Sequence, residues 1–246
     1  MTLARVLALL ETMGLPENRE IYTKHGIDSP AYGVAFSHLR DLAKRVGSSS
    51  ALADSLWATG NHDARVLATL VVGERGASEA RLRAWSSTLD NAVIADLFAR
   101  WAWRAKAARA LAAEWTASPD EWIARAGWMT RALHAIERDD IPEASFAKDL
   151  EVIEREIGRA ENRVRDAMNM ALIAIAIGRA ALTDDAIAAA RRIGTVEVDF
   201  GESGGTLVPA EAAIREGVEQ RGRRDAGRTG GKKSARGRRA AKTKRG

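Results

Sequence analysis

The side chains that most often do chemistry are scarce in this 246-residue chain. Cysteine is absent, which excludes disulfides, thiolate metal sites and thiol nucleophiles. Four histidines, His25, His38, His62 and His134, show no metal-ligand spacing, and no HExxH pairs two of them on a helix face. There is no phosphate-cradling P-loop and no nucleotide-binding glycine triplet after a strand. We therefore expect no metal and no cofactor. What remains is charge. From Arg221 to Gly246 twelve Lys or Arg accompany one acid, Asp225, so this stretch carries +11 in a chain of net charge +5. The other 220 residues are left at −6. Arg223, Arg224, Lys232, Lys233, Arg236, Arg238 and Arg239 recur among glycines without a large apolar neighbour. Such a segment cannot offset chain entropy by burial, so 221–246 reads as a disordered basic tail. Its partner by charge is a polyanion: DNA, RNA or an anionic surface. Nucleic acid is favoured over a merely solubilising role, because acids hardly interrupt the basic run.

The rest of the chain is helical in pattern. Hydrophobic residues make up 46% and charged residues 29%, as in ordinary globular domains. Ala, Leu, Glu and Arg dominate, and apolar residues recur at three and four positions in thirteen successive stretches between residues 2 and 219. Breakers separate them at Gly14-Leu15-Pro16, Gly26, Gly47, Gly60 and Gly76. Ser118 followed by Pro119 reads as an N-cap with proline at the first helical position, and Thr183-Asp184-Asp185 opens another helix in a similar way. Only 195–208 alternates like a strand; lacking a partner strand, it is expected as an extended loop. Short helices with short links predict an all-α domain over 1–220. Its expected form is a HEAT-like or armadillo-type α-solenoid of stacked helical hairpins, with a compact bundle as the alternative. The N-terminal MTLARVLALLETMG reads as an amphipathic helix rather than a signal peptide, and no stretch has the ~18 apolar residues of a membrane span. A cytoplasmic, nucleoid-associated monomer that does not engage membranes is expected.

Five blocks in order carry a resemblance to a known family. They are Tyr32-Gly33-Val34 with Leu39 to Lys44; Leu52-Ala53 and Leu56-Trp57 with Asp63-Ala64-Arg65 and Leu67-Ala68; and Trp85 with Leu89-Asp90 and Asp96. Trp115 with Glu121 to Ala126, and Arg165 to Leu172, complete the set. Together they resemble the AlkD-like DNA alkylation repair family over about residues 1–200. The resemblance implies a HEAT-like superhelix whose concave face grips duplex DNA. It also implies that active members release cationic bases such as 3-methyladenine and 7-methylguanine.

That reaction needs little from a protein. An alkylated purine is already positively charged and leaves readily, so the site must mainly stabilise the sugar cation left behind. A carboxylate does so electrostatically, aromatic faces add cation–π attraction, and an arginine holds the adjacent phosphate. The resemblance assigns the carboxylate to Asp96 and the phosphate arginine to Arg125. It expects tryptophans where this chain has Ala92, four residues before Asp96, and Met170 on a late helix. Plainer readings stand beside these. Asp96 also fits an acid near a helix start, and Arg125 a surface partner of Glu121 at i−4. Met168 and Met170 fit packing, as do Trp57, Trp85, Trp101, Trp103, Trp122 and Trp128; Trp128, three residues after Arg125, could alternatively offer a ring near it. Three functions stay open: a DNA N-glycosylase, a non-catalytic DNA-binding module, and a protein-interaction scaffold.

Overall fold

The computed structural model describes residues 1–223, and Arg224, Lys232, Lys233, Arg236, Arg238 and Arg239 lie outside them. Among the described residues there is no strand. The helices are α1 (Leu3–Met13), α2 (Pro16–Lys24), α3 (Phe36–Val46), α4 (Ser50–Trp57), α5 (His62–Val71) and α6 (Glu79–Ser86). They continue as α7 (Ala92–Ala102), α8 (Ala108–Thr116), α9 (Glu121–Glu137), α10 (Glu143–Glu156), α11 (Asn162–Gly178) and α12 (Thr183–Ile193). A last helix, α13, covers 210–223.

Packing follows a simple repeat. α3, α5, α7, α9 and α11 lie side by side in that order as an inner row. Behind it α4 backs α5, α6 backs α7, α8 backs α9 and α10 backs α11, while α12 closes the end on α10 and α11. This is the expected α-solenoid, in which each hairpin buries its apolar faces against its neighbours. The segment 195–208 is the expected extended connection, with one 3-10 turn at Gly201–Ser203. It is pinned to the start of α11, where the Asp199 amide donates to Asn162 Oδ1 at 2.8 Å and Arg163 lies over the Phe200 ring. α13 runs three residues past 220, and Arg223 pairs with Glu219 one turn back. No described helix is long and apolar enough to cross a membrane.

Helix starts are set by short polar side chains. Ser49, Asn61, Ser78 and Asn91 accept first-turn amides of α4, α5, α6 and α7. Two expected caps differ. Asp120, not Ser118, caps α9: its carboxylate accepts from both Trp122 and Ile123, while Ser118 accepts only from the Asp120 amide. Thr183 is already inside α12, with its hydroxyl given to the Ala176 carbonyl, so it does not cap.

Two hydrophobic cores meet at α9. The first runs from α1 to α8 and takes Ala126; the second takes Ala124, Trp128 and Ala132 and runs on to Ile214 in α13. In the first, Trp57 and Trp85 stack at 4.2 Å, Trp101 follows at 4.9 Å, and Phe98 meets Trp115 edge-on at 5.2 Å. These rings tie α4, α6, α7 and α8 together, as expected of Trp57 and Trp85. Trp122 is half-buried against the same core. Trp103 is also half-buried, under the Arg104 guanidinium. Trp128 is buried in the second core, so it offers no ring to the groove. Its neighbour Gly127 faces α8 instead. A Cβ there would sit 2.5 Å from the Thr116 backbone nitrogen, so only glycine lets α8 approach this closely.

Candidate functional site

The first polar joint of the inner row is Asp63, the second residue of α5 and fully buried. Its Oδ2 accepts the Tyr32 amide at 2.7 Å and the Gly33 amide at 2.9 Å. Oδ1 accepts the Val34 amide at 3.1 Å and the Tyr22 hydroxyl at 2.9 Å. Three successive amides can converge on one carboxylate only if the backbone curls. Gly33 supplies that curl with φ +82°, in a space where a Cβ would lie 2.3 Å from the Leu15 carbonyl oxygen. Arg65, on the same helix, spans the next turn: its guanidinium donates to the Thr88 carbonyl at 3.0 Å and to Asp90 at 2.7 Å. So the residues around Asp63 and Arg65 act as joints between hairpins.

The second joint contains both residues singled out in the sequence. Asp96, Arg125 and Asp166 are each the fifth residue of their helices, α7, α9 and α11. Neighbouring inner helices run parallel, so equal positions meet. Arg125 donates from Nε to Asp96 Oδ1 at 2.8 Å and from Nη2 to Asp96 Oδ2 at 2.9 Å. Its Nη1 donates to Asp166 Oδ2 at 2.7 Å and to the Arg163 carbonyl at 2.9 Å. The Arg125 side chain keeps 7% of its surface, against 32% for Asp96 and 16% for Asp166. Burial pushes the Asp96 carboxyl above the usual carboxylate range, Arg125 pulls it back, and Asp166 adds to the rise. Two carboxylates thus share one cation, with Asp96 the most open of the three.

This geometry corrects one reading of Arg125. It is not a surface residue paired with Glu121; it is buried, and Glu121 instead accepts the Arg163 amide at 2.6 Å. Four of its five N–H bonds are committed within the protein. Asp166 is the residue that the sequence left without a role. Its signal is its place in the helix, which is legible only once the three helix starts are known. Around the ladder, Ala92 is half-buried one turn before Asp96, Met170 is exposed one turn beyond Asp166, and Met168 is buried in the second core. Arg100, exposed on α7, extends the face beyond Asp96.

Comparisons with known proteins agree with this layout. A solved structure described as belonging to a new family of proteins related to the HEAT-like repeat DNA glycosylases, with affinity for branched DNA structures, superposes with TM-score 0.80. It is 28% identical, and the match covers 89% of this chain and 95% of that one. No curated protein sequence matches. The pattern of the family described as DNA alkylation repair enzyme matches residues 6–198, a span that includes Asp63, Asp96, Arg125 and Asp166. The chain belongs to the DNA alkylation repair enzyme family.

Proposed function

We propose that this chain binds DNA along the concave face formed by its inner row and acts as a recognition module without base excision. The observation that carries this reading is the saturation of Arg125 by Asp96, Asp166 and the Arg163 carbonyl. An arginine with one free N–H is a poor clamp for a phosphate, and a carboxylate held at both oxygens is poorly placed to follow a sugar cation. Ala92 and Met170 support it, because neither presents an aromatic face to the sugar. The affinity of the solved relative for branched DNA supports the further step that bent or branched DNA is preferred over linear duplex. Phosphate contacts then fall to exposed cations such as Arg40 and Arg100, and to the basic stretch beyond α13. In this reading the chain binds as a monomer and associates with the nucleoid.

One observation favours a second reading, slow release of cationic alkylpurines: the Asp96 side chain keeps about a third of its surface open. Single-turnover release of 7-methylguanine from methylated duplex DNA separates the two. We expect DNA binding with no release above background. Measurable release that falls about 10²–10³-fold in Asp96→Asn would instead establish the glycosylase reading. Under that reading Ala92→Trp, which sets a ring one turn from Asp96, should raise the rate.

The basic stretch has its own test. Removing residues 224–246 deletes ten Lys or Arg. Affinity for any DNA should fall, and the salt dependence should flatten by roughly 0.9 in log–log slope for each phosphate no longer neutralised. Equal affinity and equal slope in the truncated chain would refute an electrostatic role for the tail.

A further inference from the structure

We infer that a second site on the same row, an apolar slot between α2, α3 and the first turns of α5 and α7, receives an unpaired nucleobase. The inference rests on the DNA-binding reading and names what that surface recognises. The slot has a volume of about 390 Å³, within the roughly 300–1,000 Å³ of small-ligand pockets. Its rim is unusually apolar for a surface: Ile21 and Phe36 are each 49% exposed and Val93 is 39% exposed. Its wall holds the rings of Tyr22 and His62, edge to face at 4.9 Å. No acid lines it.

Both wall rings are fixed before any ligand arrives. The Tyr22 hydroxyl lies 2.7 Å from the Val34 carbonyl and 2.9 Å from Asp63. The His62 amide donates to the Pro30 carbonyl at 2.7 Å, and its ring nitrogen faces the Asn91 amide at 3.4 Å. Burial pushes the His62 ring below its ordinary pKa. The slot is therefore preformed, and a flat apolar guest loses little in ordering it.

Place and charge identify the guest. Val93 lies three residues before Asp96 on α7, so the slot opens on the face that carries the ladder. Arg40, one turn after Phe36 on α3, is exposed, and Lys44 and Arg45 follow it against the single acid Asp41. Exposed cations further along α3, beside an apolar, ring-lined recess, suit a polyanion that carries flat rings. A paired base is stacked in its duplex and cannot enter. A base at a junction or other discontinuity is already free, and stacking on protein rings is worth about tenfold or more in affinity.

The test uses the full-length chain and a three-way DNA junction with 2-aminopurine at an unpaired position, beside a linear duplex of equal length. Wild type is expected to change the 2-aminopurine emission on binding. Phe36→Ala, which removes a wall, and Val93→Phe, which fills the slot, should weaken junction binding about tenfold with linear duplex unchanged. Circular dichroism of both half-exposed variants checks that they fold. If both DNAs bind while the emission stays silent and the variants match wild type, the slot proposal fails and the DNA-binding reading stands. An equal loss on junction and duplex also overturns it, because the slot then reads no unpaired base. If wild type binds neither DNA, both readings fall.

Discussion

Replacing Asp63 by alanine is expected to remove about 3–5 kcal/mol of folding free energy. The carboxylate is fully buried and accepts four donors, three of them consecutive backbone amides. Each buried donor left without a partner costs roughly 1–3 kcal/mol, and the Gly33 and Val34 amides are buried while only the bonds to Tyr22 and Tyr32 are partly open. Asp63→Asn should rescue little. Its amide group must turn two N–H bonds toward N–H donors, so one side of the cluster becomes repulsive. Urea denaturation of both variants beside wild type is the measurement. A loss below about 1 kcal/mol in either would show that the 32–34 loop finds other partners.

The second large effect concerns Arg125→Met. Removing the guanidinium leaves Asp96 and Asp166 without the cation they share, with only the exposed Arg100 still acting on Asp96, and breaking a buried pair in this way typically costs about 3–5 kcal/mol. The pH dependence carries the sharper signature. The folded state already holds the Asp96 carboxyl above its ordinary pKa, so the folded form binds that proton more tightly than the unfolded form does. Stability linked to Asp96 therefore rises as pH falls through that interval, and is lost as pH rises. Arg125 damps the effect in wild type. Without it the rise should strengthen, so Arg125→Met should melt at a higher temperature near pH 5 than near pH 8, relative to wild type. Asp96→Asn added to Arg125→Met should abolish the excess slope. Parallel melting profiles for Arg125→Met and wild type would exclude this account.

Much of the architecture was legible because helix periodicity and breakers are local. The thirteen helical stretches and the extended 195–208 segment all stand where the pattern of apolar residues and glycines put them. Capping was legible in kind but not in position. At α9 two acceptors two residues apart competed, and Asp120 prevailed because a carboxylate accepts two amides where the Ser118 hydroxyl takes one. The candidate site was legible as residue types only. Asp96 and Arg125 sit 29 positions apart, and nothing local in the chain says that they touch. Trp128 is buried, as its packing reading expects, in keeping with α9 being packed on nearly every side. The blocks around Tyr32, Asp63 and Arg65, which carry part of the resemblance, form polar joints where one hairpin is fastened to the next.

The two cores of this solenoid close separately and share only α9. Each half therefore buries its own apolar side chains, and α9 is the helix common to both. Asp96 lies on the side of the first core, Asp166 on the side of the second, and Arg125 on the shared helix. The ladder is thus a polar strap across the joint, with Arg125 bonded at once to a helix of each half.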